Sequence, residues 1–127
     1  MPTILPLYAG ILGLMSIVLA SLAGRLRGST KISVGDGGDS ELLVAMRRHA
    51  NFIEYVPLAL VLIALVEMSG APALAIHLLG GGLVVSRLCH AIGLNADTIQ
   101  SAARIVGAAG TMLVTLVASV WAIVSFV

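Results

Sequence analysis

Charged residues are scarce in this chain: Asp, Glu, Lys and Arg make up 10% of its 127 residues, whereas hydrophobic residues make up 59%. The mean hydropathy is +1.10, and a soluble domain of this length and composition would expose a large apolar surface. The composition therefore excludes a soluble protein and predicts an integral membrane protein with a single domain over residues 1–127. The few cations also argue against a surface for nucleic acid.

Cysteine is almost absent, since Cys89 is the only one, and this excludes an intrachain disulfide. No two histidines have the spacing of metal ligands, so His49 and His90 do not predict a metal site. The segment 35–38 (Gly-Asp-Gly-Gly) lacks the Lys-Ser/Thr of a phosphate-binding loop and is typical of a flexible turn. No basic residue precedes the first apolar stretch, which favours a retained helix over a secretory signal.

Four apolar stretches are long enough to cross a hydrocarbon core of about 30 Å, which needs about 20 residues in a helix. The sequence therefore predicts an all-α membrane protein, a bundle of four transmembrane helices at about residues 4–23, 40–68, 72–94 and 102–127. Gly70 and Pro72 predict a tight turn between the second and third helices. Asp39 or Ser40 is a suitable N-cap for the second.

Lysine and arginine are absent from both ends of the chain and from the turn between the second and third helices. All seven lie beside the other two connections, and they are Arg25, Arg27, Lys31, Arg47, Arg48, Arg87 and Arg104. By the positive-inside rule these two connections face the cytoplasm, and the termini lie on the non-cytoplasmic side. Arg25, Lys31 and Arg48 are interpreted as residues that orient the helices.

Small residues recur within the predicted spans, at positions 80–82 (three glycines) and at Gly107, Gly110 and Thr111. Small residues let helix backbones approach closely in lipid. Packing is therefore the expected role of these positions. A four-helix protomer of this size leaves much surface for lipid or partners, so a homo-oligomer is expected.

The densest polar cluster of any span lies in the second helix. Helical spacing places Arg47, Asn51 and Glu54 on one face, with Tyr55 one turn beyond Asn51. A carboxylate at the depth of Glu54 costs several kcal/mol unless it is paired, protonated or in a wet cavity. Pro57 removes a backbone donor and is expected to kink the helix just past the cluster.

Two other helices contribute polar residues at the same depth, namely Arg87 and His90 in the third and Arg104 in the fourth. Cations, an amide, a carboxylate and a phenol in one layer suit a small zwitterionic or polyanionic molecule, and an arginine near a thiol favours the thiolate. A simpler alternative is that Glu54 neutralises Arg47 or Arg87 and the arginines reach the lipid headgroups.

The arrangement Arg-x3-Asn-x2-Glu-Tyr-x-Pro at residues 47–57 resembles the second helix of the MAPEG family, the membrane-associated proteins of eicosanoid and glutathione metabolism. The pair Arg87-x2-His90 is similar to the prostaglandin synthase branch. The resemblance implies a bacterial-type, multi-pass inner-membrane homotrimer. It also implies that glutathione, as co-substrate, lies between adjacent subunits in a cavity open to the cytosol and to lipid.

The resemblance also implies roles for individual residues. Arg104 corresponds to the arginine that activates the glutathione thiol. Glutathione contacts are implied for Arg27, Arg47, His49, Asn51, Glu54, Tyr55, Arg87 and His90. Two positions depart from the family: His49 stands where the motif has glutamine, and Leu94 stands where eicosanoid-making members carry tyrosine.

The expected function is that of a membrane-bound glutathione transferase or peroxidase acting on lipophilic electrophiles or hydroperoxides that enter from the bilayer. The alternative is a non-catalytic lipid-binding or scaffolding protein of the same family. A small transporter is the third hypothesis, and the lack of evident inverted repeats in the sequence argues against it.

Overall fold

The computed structural model describes residues 1–97 and 101–126. It contains four helices in chain order, α1 (Leu5–Thr30), α2 (Ser40–Met68), α3 (Ala73–Gly93) and α4 (Ala102–Val124). All four are long and apolar enough to span a membrane, and the described residues include no strand. The predicted all-α, four-helix membrane bundle is confirmed.

Helix ends differ from the predicted spans at three places. α1 continues past residue 23 to Thr30 and ends where Lys31 adopts a left-handed conformation with φ 57°. Apolarity ends at Ala23, but Leu and Arg are good helix formers in water, so the helix outlasts its apolar run. α3 ends at Gly93 because Leu94 is extended, and α4 ends at Val124. The predicted end at Val127 lies outside the described residues.

The helix starts are capped in two ways. The Asp39 carboxylate accepts a hydrogen bond from Leu42 N–H at 2.8 Å and caps α2. Ser101 caps α4 by accepting from Arg104 N–H at 3.2 Å. α1 has no capping side chain of its own. Its cap is Glu67, whose carboxylate at the far end of α2 accepts from the N–H groups of Thr3, Ile4 and Leu5 at 2.7, 2.7 and 3.0 Å.

The helices enclose a continuous apolar core that includes Leu12, Phe52, Ile63, Leu83 and Ala118. α3 and α4 lie against each other backbone to backbone at Gly107, where an added Cβ would come within 3.0 Å of His90 N and Ser86 O. This contact uses one of the small residues that the sequence assigned to packing.

α1 is attached to α3 through one aromatic side chain. The Tyr8 ring occupies the space that a Cβ on Gly80 would need, and the Tyr8 hydroxyl lies 2.7 Å from His77 Nδ1. Glycine at position 80 thus leaves the space in which the Tyr8 ring of α1 packs against α3.

Candidate functional site

The centre of the polar layer is Arg87 on α3, which is only 1% exposed. Its Nη2 donates to Asn51 Oδ1 at 2.7 Å and lies 3.5 Å from His90 Nδ1. Its guanidinium carbon is 5.6 Å from the centre of the Phe52 ring. Its Nε is buried and has no hydrogen-bond partner within residues 1–97 and 101–126.

Among the described residues, none of the contacts of Arg87 is a carboxylate. An amide, an imidazole and a phenyl face solvate a guanidinium in part, but they do not neutralise it. A buried charge without a counter-charge is costly. The arrangement is therefore suited to an anion that reaches the Arg87 side chain.

A cavity of about 260 Å³ adjoins this cation. Its polar wall is formed by Asn51, Tyr55, Arg87 and His90, and its other wall by Ala108, Thr111 and Met112 of α4. The structure thus brings together four residues that the sequence placed in a binding site, from two helices. Ligand pockets usually measure about 300–1,000 Å³, so the cavity of one protomer is small for a tripeptide.

Arg47, Glu54 and Tyr55 lie on exposed parts of α2. Within the described part of the chain, Glu54 makes no hydrogen bond or ion pair. The alternative in which Glu54 neutralises Arg47 or Arg87 is therefore not seen inside one protomer. The side chains of Arg47 and Glu54 are both exposed, so each is accessible to a ligand, to lipid headgroups or to a second subunit.

Arg27 and His49 are not part of this cavity. Together they border a separate hollow of about 420 Å³ between α1 and α2. The Arg27 guanidinium donates to the carbonyls of Ile32, Ser33 and Gly35 at 3.3, 3.1 and 3.0 Å, and also contacts the sulfur of Met46 at 3.3 Å. Arg27 therefore stabilises the conformation of the loop between α1 and α2.

Arg104 lies in the first turn of α4 and is half-buried. It does not line the 260 Å³ cavity, whereas Ala108, one helical turn further on, does. Because residues four apart share a helix face, Arg104 lies above the cavity towards the end of the bundle where the other arginines are found.

Leu94 lies outside the cavity. Its side chain is buried, with 8% exposed, and its carbonyl accepts hydrogen bonds from both Nε and Nη2 of Arg48. A leucine at this position therefore removes no group from the cavity wall within the protomer. Arg48, interpreted from the sequence as an orienting charge, holds the end of α3.

Sequence reasoning missed Glu67 and the contact of Arg48. Both side chains bind backbone groups at helix ends. Every residue carries such groups, so the type of the partner residue gives no indication of the contact. The absence of a capping residue before α1 is the one hint that another part of the chain must supply a cap.

Comparison with known proteins gives consistent matches. The sequence model of the MAPEG family matches residues 5–124. The chain is 39% identical over 89 residues to the inner membrane protein YecN of Escherichia coli strain K12, and the alignment covers 70% of this chain and 68% of the relative. YecN of Escherichia coli O6:H1 matches with the same identity and coverage. No solved structure gives a significant match.

Proposed function

Because this chain belongs to the MAPEG family, we propose that it is a membrane-bound glutathione transferase or peroxidase. The observation that carries the proposal is the buried Arg87, which lines a cavity and has no carboxylate among its contacts in the described part of the chain. A ligand with carboxylates supplies the missing negative charge. Glutathione has two carboxylates, an ammonium and a thiol.

Different residues around the cavity are proposed to bind different groups of glutathione. Arg87 and Asn51 offer donors to a carboxylate, and the unpartnered Nε of Arg87 is an additional donor at the same place. The exposed carboxylate of Glu54 suits the ammonium. Tyr55 also lines the cavity, and its hydroxyl is a further group that can form a hydrogen bond.

Arg104 is proposed to stabilise the thiolate, because a nearby cation favours the charged form of a thiol. In a transferase reaction the thiolate sulfur attacks an electrophilic carbon and a leaving group departs with the bonding pair. In a peroxidase reaction the sulfur attacks a peroxide oxygen, the O–O bond breaks, and the alcohol leaves after protonation. The sulfenic product then needs a second glutathione, which yields the disulfide and water.

Lipophilic substrates are proposed to enter from the bilayer beside α4. Ala108 and Met112 line the cavity and are exposed on the protomer surface, so an apolar molecule in lipid meets the cavity without crossing water. The polar wall and the apolar wall would then hold the two reactants on opposite sides.

The complete site is proposed to form between subunits of a homotrimer. The cavity that holds Arg87 and the hollow that holds Arg27 and His49 involve different sides of α2. In a closed ring, one face of each copy meets the other face of the next copy. Each interface would then join one cavity with one hollow and enlarge the small site of the protomer.

The protein is proposed to lie in the inner membrane, as its relatives do by name, with the arginine-rich end in the cytoplasm and the termini outside. Cysteines introduced at Ser33 and Ser125 in a Cys89→Ala background test this orientation. A membrane-impermeant thiol reagent added to intact cells is expected to label position 125 and not position 33. The reverse pattern would overturn the proposed orientation.

Calorimetry of the purified oligomer with glutathione tests the proposed function. We expect binding that is weakened in Arg47→Ala and Glu54→Gln, and turnover of electrophiles that is lost in Arg104→Ala. Arg25→Ala is the matched control, since Arg25 is an exposed cation near the same end of the bundle. An intact oligomer that binds no glutathione at millimolar concentration would overturn the proposal.

A second candidate is a non-catalytic lipid-binding protein, in which Arg87 and the exposed Arg47 hold a phospholipid headgroup. The observation that favours it is the composition of the cavity, which is small and has an apolar wall open to lipid. Phospholipid that co-purifies at this cavity, with no turnover of electrophiles or hydroperoxides, would support this candidate over the enzyme.

A further inference from the structure

The end of α3 and the start of α4 are tied to each other and to α2 by hydrogen bonds. We call the four residues Gly93, Leu94, Ser101 and Arg104 the α3–α4 corner. Arg48 of α2 donates from Nε to the Leu94 carbonyl at 3.0 Å, and its Nη2 donates to the same oxygen. A cation at the C-terminal end of α3 also suits the helix dipole.

The chain of contacts continues from α3 to α4. The Ser101 hydroxyl donates to the Gly93 carbonyl, and the hydroxyl oxygen of Ser101 accepts a hydrogen bond from Arg104 N–H at 3.2 Å. One serine thus joins the last residue of α3 to the first turn of α4. Arg104 is held through its own backbone.

Close backbone packing reinforces the hydrogen bonds. A Cβ on Gly93 would come within 3.0 Å of the backbone of Ala103 and Arg104. These are backbone atoms, so a flexible side chain cannot move aside to make room. The start of α4 therefore lies against the end of α3 with no space between them.

Arg48 also lies on the helix that forms the binding wall. It precedes Asn51 by three residues and Phe52 by four, which places it one turn from the two α2 residues that contact Arg87. The element that contributes to the Arg87 cavity is thus the element that holds the corner.

From these contacts we infer that Arg48 is a positioning residue, which sets the place of Arg104 relative to the Arg87 cavity through Leu94, Gly93 and Ser101. The inference rests on the proposed function, in which Arg104 stabilises the glutathione thiolate. Arg48 touches neither reactant in this scheme. It acts by fixing the first turn of α4, and a misplacement of about 1 Å is enough to slow a reaction up to about 100-fold.

The test compares Arg48→Gln and Arg48→Lys with Arg25→Gln, an exposed arginine outside the corner. Three quantities are measured on intact oligomers: the Kd for glutathione, the ultraviolet absorbance of the bound thiolate at one fixed pH, and kcat with KM. For Arg48→Gln we expect a Kd within about twofold of wild type, weaker thiolate absorbance, and a kcat about tenfold lower. Arg48→Lys, which keeps a cationic donor, is expected to recover part of the thiolate signal, and Arg25→Gln is expected to behave as wild type.

A purely structural role for Arg48 would lower thermal stability and leave the thiolate signal and kcat of the folded protein unchanged, and that result would overturn the inference. If Arg48→Gln does not fold, Ser101→Ala tests the next link with the same three measurements. Wild-type protein that binds no glutathione would overturn the proposed function. If the wild-type protein binds and turns over glutathione, but neither Arg48→Gln nor Ser101→Ala changes the thiolate absorbance, this inference alone is overturned.

Discussion

At the scale of single residues, the buried Arg87 is the group whose chemistry most restricts the function. It is a cation at 1% exposure with an amide as its closest hydrogen-bonding partner. Stability alone does not call for such a group, because an apolar side chain of similar volume is often as good or better at a buried position. The proposed ligand, which carries negative charge, would supply a reason for a cation at this buried position.

Replacing Arg87 with methionine is expected to separate binding from stability. We expect glutathione affinity to fall at least tenfold, since a charge-assisted hydrogen bond contributes about 1.5–3 kcal/mol. The thermal midpoint of the ligand-free protein is expected to stay the same or rise, because the buried charge is removed.

Calorimetry and thermal unfolding on the same preparations check both expectations, with Arg25→Met as control. A large loss of stability without ligand, together with unchanged affinity, would assign Arg87 to the fold and not to a ligand.

At the scale of elements, each helix end depends on a particular partner. The cap of α1 comes from Glu67 at the end of α2, and it spans more than sixty positions of sequence, with a separation of 64 residues for Thr3. A carboxylate at a helix N-terminus satisfies orphan N–H groups and complements the helix dipole.

Glu67→Ala is therefore expected to destabilise the protein by about 1–2 kcal/mol and to free the start of α1. Hydrogen exchange at the amides of residues 3–5 is the direct measurement, and we expect faster exchange there than in wild type. Asp36→Asn is the matched control, because its side chain caps no helix in the structure. Unchanged exchange at these three amides would show that the cap is not needed.

The contact between α3 and α4 depends on glycine at position 107. Gly107→Ala places a Cβ within 3.0 Å of backbone atoms of α3, and overpacking of this kind costs about 1–3 kcal/mol. Gly28→Ala is the control, since nothing lies within 4 Å of its added Cβ and alanine is the better helix former. The midpoint of denaturant unfolding is expected to fall for the first variant and to stay or rise for the second. Equal midpoints would contradict the close approach of the two helices.

At the scale of the whole molecule, the two hollows beside α2 are proposed to be halves of one site that forms between subunits. This leads to a prediction about mixed oligomers. Copies with Arg87→Met lack the cavity cation, and copies with His49→Glu place a carboxylate in the other hollow, so each pure oligomer is expected to bind glutathione poorly.

When the two variants are co-expressed in equal amounts, about a quarter of the interfaces in a closed ring join two intact halves. Glutathione binding is therefore expected to return to about a quarter of the wild-type number of sites, as counted by calorimetry on the co-purified oligomer. Mixed oligomers that recover no sites would contradict a site shared between subunits.

The sequence was sufficient for the membrane character, the four helices and the family, because the length of an apolar run is a local property and the α2 motif is a short one. Helical spacing and membrane depth also predicted that Asn51, Tyr55, Arg87 and His90 lie in one layer, and the four residues line one cavity. Their role in binding a ligand stays a prediction. The sequence did not reveal that α1 extends beyond its apolar residues to Thr30. Hydropathy predicts which residues lie in the bilayer, but it does not predict where a helix ends.

Only the tertiary structure decided which partners the charged residues have. Arg87 meets Asn51 across 36 positions, Arg48 meets the Leu94 carbonyl across 46, and Arg27 turns to the first loop and away from the Arg87 cavity. The physical reason is that these partners are chosen by how the helices pack, and several of them are backbone groups that every residue carries. A sequence pattern places a charge on a helix, but only the fold determines what that charge contacts.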